Sequence, residues 1–261
     1  MSFFAYKIDC ITNLHVGSGD LNYNIVDNEV ERDAVTGYPV IHASGLKGAL
    51  REHFSKKKDL PFKIVDVFGQ EAGTADIKAG SYKFLDAYLL ARPMRVSGQL
   101  ASVMVVSEKS VNDFIRRMNT FGIDRYGTEL LSVDFPNGVN FLSDVKGISV
   151  EAEETKPLPG SAKKVLDGLQ ELIGTNVAVV KDFNDYDLPV VARNYLEDGI
   201  SKNLWYEEVV PHDSVFYTII ISPDDGKELP LDDIIQIGAN TYWLIVRQAA
   251  SHIPLGRVFV A

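Results

Sequence analysis

The sequence predicts an α+β fold with a ferredoxin-like βαββαβ core. Three observations point there: period-two hydrophobicity at the start of the chain, two stretches of helical period, and three apolar β-prone runs placed between and after them. With 261 residues, 46% of them hydrophobic, the chain is long enough to close one large core.

In residues 3–16, FFAYKIDCITNLHV, Tyr6, Ile8, Cys10, Leu14 and Val16 fall on one side of an extended chain. Lys7, Asp9, Asn13 and His15 fall on the other, with Ile11 the exception. That alternation predicts a half-buried strand. It runs into GSGDLNYN, a turn-rich stretch. From 44 to 54 the spacing turns helical, with Leu46, Ala49, Leu50 and Phe54 forming a core-facing stripe and Ser44 placed as N-cap. SYKFLDAYLLA (81–91) and QLASVMVV (99–106) read as buried strands joined by a turn around Pro93 and Gly98. SVNDFIRRMNTFG (110–122) returns to helix, with Val111, Phe114, Ile115 and Met118 on one face and Gly122 as its stop. SVFYTIII (214–221) closes the core as a final strand.

Two long insertions interrupt this order, roughly 17–43 and 123–212. The second contains GSAKKVLDGLQELIG, where Val165, Leu166, Leu169 and Leu172 suit an amphipathic helix. It also contains LPVVARNYLEDGISKNLWYEE, two strand-like runs around a glycine turn. Insertions of this size in a compact domain carry function or structure of their own.

Formal net charge is −10, which argues against a free-standing nucleic-acid binder unless basic residues gather in one groove. The acids concentrate at VEAEETK and KDFNDYD, leaving the N-terminal third more balanced. No apolar run approaches the roughly 20 residues of a membrane-spanning helix. MSFFAYKIDC lacks the charged and apolar regions of a signal peptide. Cys10 is the single cysteine, excluding an internal disulfide and thiol-rich zinc sites, so a cytoplasmic compartment is expected.

Three stretches offer chemistry. In SGLKGALR, Lys47 and Arg51 are i and i+4 on a helix face away from the leucines, while Gly45 and Gly48 clear the surface. With the unpaired N–H groups of a first turn this makes a seat for an anion. The same residues also suit an ordinary capped helix with solvated basic side chains. In NIVDNEVERDAVTGYP, Asp27, Glu29, Glu31 and Asp33 sit among apolar neighbours, where a carboxylate serves either as turn former or as catalyst. NLWYEEVVPHD gathers Trp205, Tyr206, Glu207, Glu208 and His212, suiting base stacking and proton or metal chemistry, or a strand edge with exposed acids. His15, on the polar side of the first strand, faces either a ligand or solvent. No hydrolase triad, HExxH or dinucleotide fingerprint is present.

LHVGSG followed by VDNEVERDAVTGYPVIHASGLKGALR resembles the opening of RAMP-superfamily proteins of type III CRISPR systems. FLDAYLLARPMRVSGQLASVMV and LPVVARNYLEDGISKNLWYEEVVPHDSVFY are similar to the backbone subunit of the type III-B Cmr effector complex. The likeness covers most of the chain except about 137–182 and the last twenty residues. It implies a single domain over 1–261, its palm core at about 1–16, 38–122 and 213–261. The insertions, about 17–37 and 123–212, would then form a thumb hairpin within 188–204 and a helical lobe.

The resemblance further implies copies stacked along a CRISPR RNA beside other subunits of the complex. Each would cleave a complementary single-stranded target RNA by attack of the RNA's own 2′-hydroxyl, with a divalent ion, Mg or Mn, present. It assigns the cutting role to Asp27, which would act as general base or hold the metal; the chemistry of the neighbouring stretches adds His15 and Glu207 or Glu208 as candidates for assisting it. It assigns guide-backbone contact to the helix-start motif of Ser44, Leu46, Lys47, Gly48 and Arg51; by its charge Arg95 is a further candidate for neutralising phosphates. One departure stands out: the family's C-terminal glycine-rich loop begins here as IQIGANT and lacks its later glycines. A structural RNA-binding subunit without cutting activity, and an acidic metal-dependent enzyme unrelated to RNA, are the competing readings.

Overall fold

The computed structural model describes residues 1–17, 26–70, 78–97, 102–123, 129–132, 139–141, 149–158, 160–175, 177–223, 227–237 and 242–248. The turn at Gly98, most of GSGDLNYN, the Gly238–Thr241 part of IQIGANT and the tail from 249 lie outside the described residues. The elements run β1 (Ser2–Cys10), β2 (Val40–Ile41), α1 (Ala43–Ser55), α2 (Ile64–Phe68), β3 (Lys83–Phe84), β4 (Ala87–Arg95) and β5 (Ser102–Ser107). Then follow α3 (Glu108–Thr120), β6 (Val139–Phe141), β7 (Ser149–Val150), β8 (Glu153–Pro157), α4 (Gly160–Ile173), β9 (Val177–Val180), β10 (Val190–Glu197) and β11 (Ile200–Glu208). The described elements end with β12 (Val215–Ser222), β13 (Asp232–Ile237) and β14 (Tyr242–Gln248).

Every expected core element forms, and both helix stripes are buried. Leu46, Leu50 and Phe54 of α1, and Val111, Phe114, Ile115 and Met118 of α3, are shielded from solvent. α3 begins with a reciprocal cap in which Ser107 and Ser110 exchange hydrogen bonds, and Gly122 follows its end at φ +69°. β1 is shorter than the alternation suggests. It stops at Cys10, and Leu14 makes a separate bridge to Val210.

The sheet runs β13-β14-β1-β12-β4-β5-β9-β6-β8-β7, with β2 on β4 and β3 on β12. The label ferredoxin-like therefore describes the order of elements along the chain, while the sheet joins them differently. The pairs β1·β12 and β4·β5 are antiparallel neighbours, and they meet through β12·β4, which puts β12 inside the sheet. The physical reason lies in β12 itself, VFYTIIIS, which is apolar at nearly every position. Phe216 and Ile220 pack with α1 on one side, and Val215, Tyr217 and Ile219 with α3 and α4 on the other. A strand with two apolar faces gains most when both are covered.

Three further expectations are corrected. Pro93 lies inside β4, opposite Met104, rather than in a turn. Its missing N–H is tolerated because β12 pairs with β4 only as far as Ala91. The helical part of the second insertion joins the core: Ala162, Leu166 and Leu169 of α4 pack in the same cluster as α3. Nor is the second insertion apart from the core, because β9, four consecutive buried residues, extends the sheet in parallel with β5. Among the described strands only β10 and β11 stand clear, as a two-stranded sheet of their own.

Leu50 is fully buried between α1 and the sheet. Leu50→Ala is expected to lower unfolding stability by about 2–5 kcal/mol, read as a reduced urea midpoint at unchanged slope.

Candidate active site

The β10–β11 hairpin turns through Asp198 (φ 51°) and Gly199 (φ 78°), both left-handed, as a two-residue hairpin loop requires. Toward its tip Tyr195, Leu196, Ile200 and Leu204 are all more than half exposed. At its base the segment 26–33 is tied to β11. The Asp27 and Asn28 N–H groups both donate to the Tyr206 carbonyl at 3.1 Å, and the Glu208 N–H donates to Asn28 O at 2.9 Å. The Tyr206 N–H in turn donates to Asp27 Oδ2 at 2.7 Å. Asp27 is thus fixed to the strand by its backbone and by one carboxylate oxygen, and Oδ1 has no hydrogen-bond partner among the described residues.

The other three predicted catalytic residues converge on the same place. His15 Nδ1 lies 2.7 Å from the Glu208 carbonyl, an acceptor only, so Nδ1 carries the proton. That turns Nε2 toward Glu207 Oε1 at 3.7 Å. The second oxygen of Glu207 accepts from Arg193 Nε at 2.9 Å. Glu208 Oε2 accepts the Val30 N–H at 3.0 Å, and Oε1 accepts from Arg32 Nη2 at 2.5 Å. Both glutamates are therefore engaged in holding the loop, the hairpin and the imidazole. Gly17 completes the packing, since a Cβ there would stand 2.8 Å from His15 Nε2.

Arg193 and Arg32 were not visible as site residues from the sequence. The signal for Arg193 was its place on β10, where Trp205 is its direct partner on β11 and Glu207 lies one diagonal step away. Among the other carboxylates of this loop, Asp33 closes a local turn by accepting from Val35 N, Thr36 N and Thr36 Oγ1.

Among the described residues the cluster closes no cage of its own around a divalent ion. Such an ion takes about six oxygen ligands, and even magnesium, which keeps several waters, draws one or two carboxylates from the protein. Among the described residues no three His, Cys, Asp or Glu are placed to hold a metal ion together. Glu207 and Glu208 already spend their oxygens on arginines, a backbone N–H and His15, which leaves Asp27 as the one open carboxylate of the cluster.

The predicted RNA-contacting residues divide. Ser44 is not the N-cap: α1 starts at Ala43 after His42, and the Ala43 N–H donates to Asp86 Oδ1 at 2.6 Å. An aspartate from beyond β3 thus fills part of the anion seat at the helix start. Ser44, Gly45 and Gly48 are exposed, and a Cβ at either glycine would meet nothing within 4 Å, so this face of α1 is flat. Lys47 stands beside it, its ammonium 5.9 Å from the Phe84 ring, and Arg51 follows one turn on. Arg95 is exposed at the end of β4, its guanidinium paired with Glu151 at 2.9 Å.

Comparison with known proteins shows the family. The family model for the RAMP superfamily covers residues 7–243. The chain belongs to the RAMP superfamily. Among curated RAMP relatives, the CRISPR system Cmr endoribonuclease Cmr4 of Pyrococcus furiosus is 27% identical, over 87% of this chain and 84% of that protein. A cryo-EM structure of the type III-B Cmr-beta bound to cognate target RNA contains a chain of similar fold, with TM-score 0.72, 21% identity, and 95% of this chain and 98% of that one covered. The crystal structure of oligomeric Cmr4 from Pyrococcus furiosus matches with TM-score 0.70 and 21% identity over 96% of this chain and all of that one (100%). No helix of the described residues is long and apolar enough to cross a membrane.

One titratable group borders the α1 face. His42 Nε2 lies 3.2 Å from Glu31 and Nδ1 3.5 Å from Asp86. Burial works against its charged form, but the hydrogen bonds and charges of Glu31 and Asp86 outweigh it and raise its pKa above the ordinary histidine value. A raised folded pKa adds stability below the unfolded pKa, lost as pH rises through the folded value. Between about pH 6 and 8, the wild-type thermal midpoint should fall further than that of His42→Gln, a difference read by melting both across that range.

Proposed function

We propose that this chain is an RNA-guided endoribonuclease subunit of a type III-B CRISPR interference complex. In this reading copies stack along a CRISPR RNA, beside other subunits of the complex, and each cleaves the complementary target RNA at the base of its hairpin. The observation that carries it is the Asp27 carboxylate, anchored to β11 by Oδ2 and open at Oδ1, beneath a hairpin with an exposed apolar tip. The likeness to the Pyrococcus furiosus Cmr endoribonuclease supports the same assignment.

The hairpin supplies the geometry. Side chains such as Tyr195 and Leu204 are built to pack against unstacked bases rather than solvent. Wedging a duplex apart frees one nucleotide from A-form constraint, so that its 2′-oxygen lines up with the neighbouring phosphate. Asp27 then takes the 2′-hydroxyl proton. The O2′–P bond forms and the P–O5′ bond breaks, giving a 2′,3′-cyclic phosphate and a 5′-hydroxyl that takes up a proton. Glu207, Glu208, Arg193 and His15 position this base rather than react, because their polar atoms are committed to one another and to the backbone. Lys47 and Arg51, on the flat face of α1, neutralise guide phosphates.

Asp27→Asn keeps an oxygen for the Tyr206 N–H but removes the base. In a guide-loaded complex given end-labelled complementary RNA, it should bind target as wild type does and cut it about 10²–10⁴-fold more slowly. Wild-type products should form an evenly spaced ladder ending in cyclic phosphate. An unaltered ladder from the variant would remove Asp27 from the chemistry, and wild type that binds but never cuts would leave a structural subunit.

Lys47→Ala should instead weaken guide-RNA binding and flatten the slope of log affinity against log salt by about one phosphate contact. Filter binding at several salt concentrations reads both.

A further inference from the structure

One side chain at the start of α1 touches both halves of the proposed machinery. His42 stands just before the helix, about half exposed, with a carboxylate at each ring nitrogen. Nε2 lies 3.2 Å from Glu31 Oε1, and Nδ1 lies 3.5 Å from Asp86 Oδ2. Asp86, from the link between β3 and β4, uses its other oxygen to accept the Ala43 N–H at the helix start. Glu31 comes from the other direction, shortly after Asp27 in the chain. Its N–H donates to Val16 O at 2.6 Å, and its carbonyl accepts from the Val40 N–H at 3.1 Å. The stretch that carries Asp27 is therefore laced to β11 at one end and, through the Glu31 side chain, reaches the foot of α1 at the other.

An ionised carboxylate only accepts hydrogen bonds. A neutral imidazole has one N–H, so it satisfies one of two such partners and turns a lone pair on the second. An imidazolium donates to both. The protonation state of His42 thus sets whether helix and stretch are joined through this ring by two bonds or by one. Glu31 and Asp86 are the charged groups that act on the ring. Burial disfavours its charge, but their hydrogen bonds and charges outweigh burial, so the doubly protonated form persists above the ordinary histidine range.

We propose that doubly protonated His42 is a positioning residue for cleavage, holding the Asp27 stretch in register with the helix that seats the guide. The assignment rests on the RNA-cleaving reading, with Lys47 and Arg51 of α1 as the guide contact. It is indifferent to base sequence, because every bond involved lies within the chain. Its signature is a rate that falls as pH rises. The attacking 2′-hydroxyl gives up its proton more readily in alkali, so the chemistry by itself does not slow there. Loss of the His42 proton opens one of the two ties.

The test measures a guide-loaded complex on end-labelled complementary RNA, from about pH 6 to pH 9, a range that starts below the ordinary histidine value. Wild type should slow about tenfold across it, less than the hundredfold that a misplacement of about 1 Å can cost. His42→Gln, which donates at only one end of its amide, should be about tenfold slower than wild type at pH 6 and show no further fall. His42→Arg keeps donors for both carboxylates at every pH and should hold the wild-type acid rate up to pH 9. The losses should lie in kcat and leave KM for target unmoved, with circular dichroism melts reporting that both variants fold. The wild-type profile in His42→Gln, a loss confined to KM, or an alkaline fall that persists in His42→Arg would each overturn the coupling and spare the nuclease.

A second readout does not need cutting. Hydrogen exchange over residues 27–33 should slow when guide RNA binds wild type at pH 6, and should slow less when it binds His42→Gln. Equal protection in the two proteins overturns the coupling. Wild type that binds guide but never cuts ends the nuclease reading, and the exchange result then decides the coupling alone. A chain that takes up no guide RNA ends both.

Discussion

The clamp between segment 26–33 and the base of β11 is the contact on which the rest of this site depends. A two-stranded hairpin is marginal in water by itself, and among the described residues it shares no ladder with the main sheet. Its geometry is borrowed from below, through the exchange of backbone hydrogen bonds with Asp27 and Asn28 and through the carboxylate that returns to the Tyr206 N–H. Glu207 and Glu208 add charged ties to Arg193 and Arg32. The residue that carries the proposed chemistry is therefore also part of what aims the hairpin, so orientation and reactivity are set by one set of bonds.

Beneath it the sheet supplies the rigid platform. β12 is central because both its faces are apolar, and its burial brings α1 to one side and α3 with α4 to the other. The flat outer face of α1 is consequently presented away from the core, where a polyanion can lie along it. Asp86 steadies the helix start from outside the helix and, with Glu31, holds His42 nearby. The acids close to this face are thus engaged in internal bonds, which lessens the conflict between a net charge of −10 and a phosphate partner.

Much of this was legible in the sequence because periodicity records burial. The stripes of α1 and α3 and the alternation of Tyr6, Ile8 and Cys10 all describe which side faces the core. Asp-Gly between two β-prone runs marked the hairpin. What could not be read was partnership across long separations. The order of strands in the sheet depends on which strand is buried on both faces, and VAVV at 177–180 carried that signal without naming a neighbour. Arg193 and Arg32 are ordinary surface residues until the fold brings Glu207 and Glu208 to them. Ser44 was misplaced as a cap because its competitor, Asp86, lies 43 residues beyond Ala43 in the chain.

The hairpin's isolation has a material consequence. Beyond its base, both strands present unpaired edges next to Tyr195, Leu196, Ile200 and Leu204, a combination that invites strand addition by another chain. Glu197, Asp198 and Lys202 interrupt that surface, and the acidic charge of the whole molecule keeps free copies apart over distances of about one Debye length, roughly 8–10 Å in moderate salt. Salt thus acts on this protein in two opposite senses. It relaxes the repulsion between copies and, under the proposed function, loosens their hold on a phosphate backbone, so that orderly stacking and stray association would be separated by a window of ionic strength rather than by a structural lock.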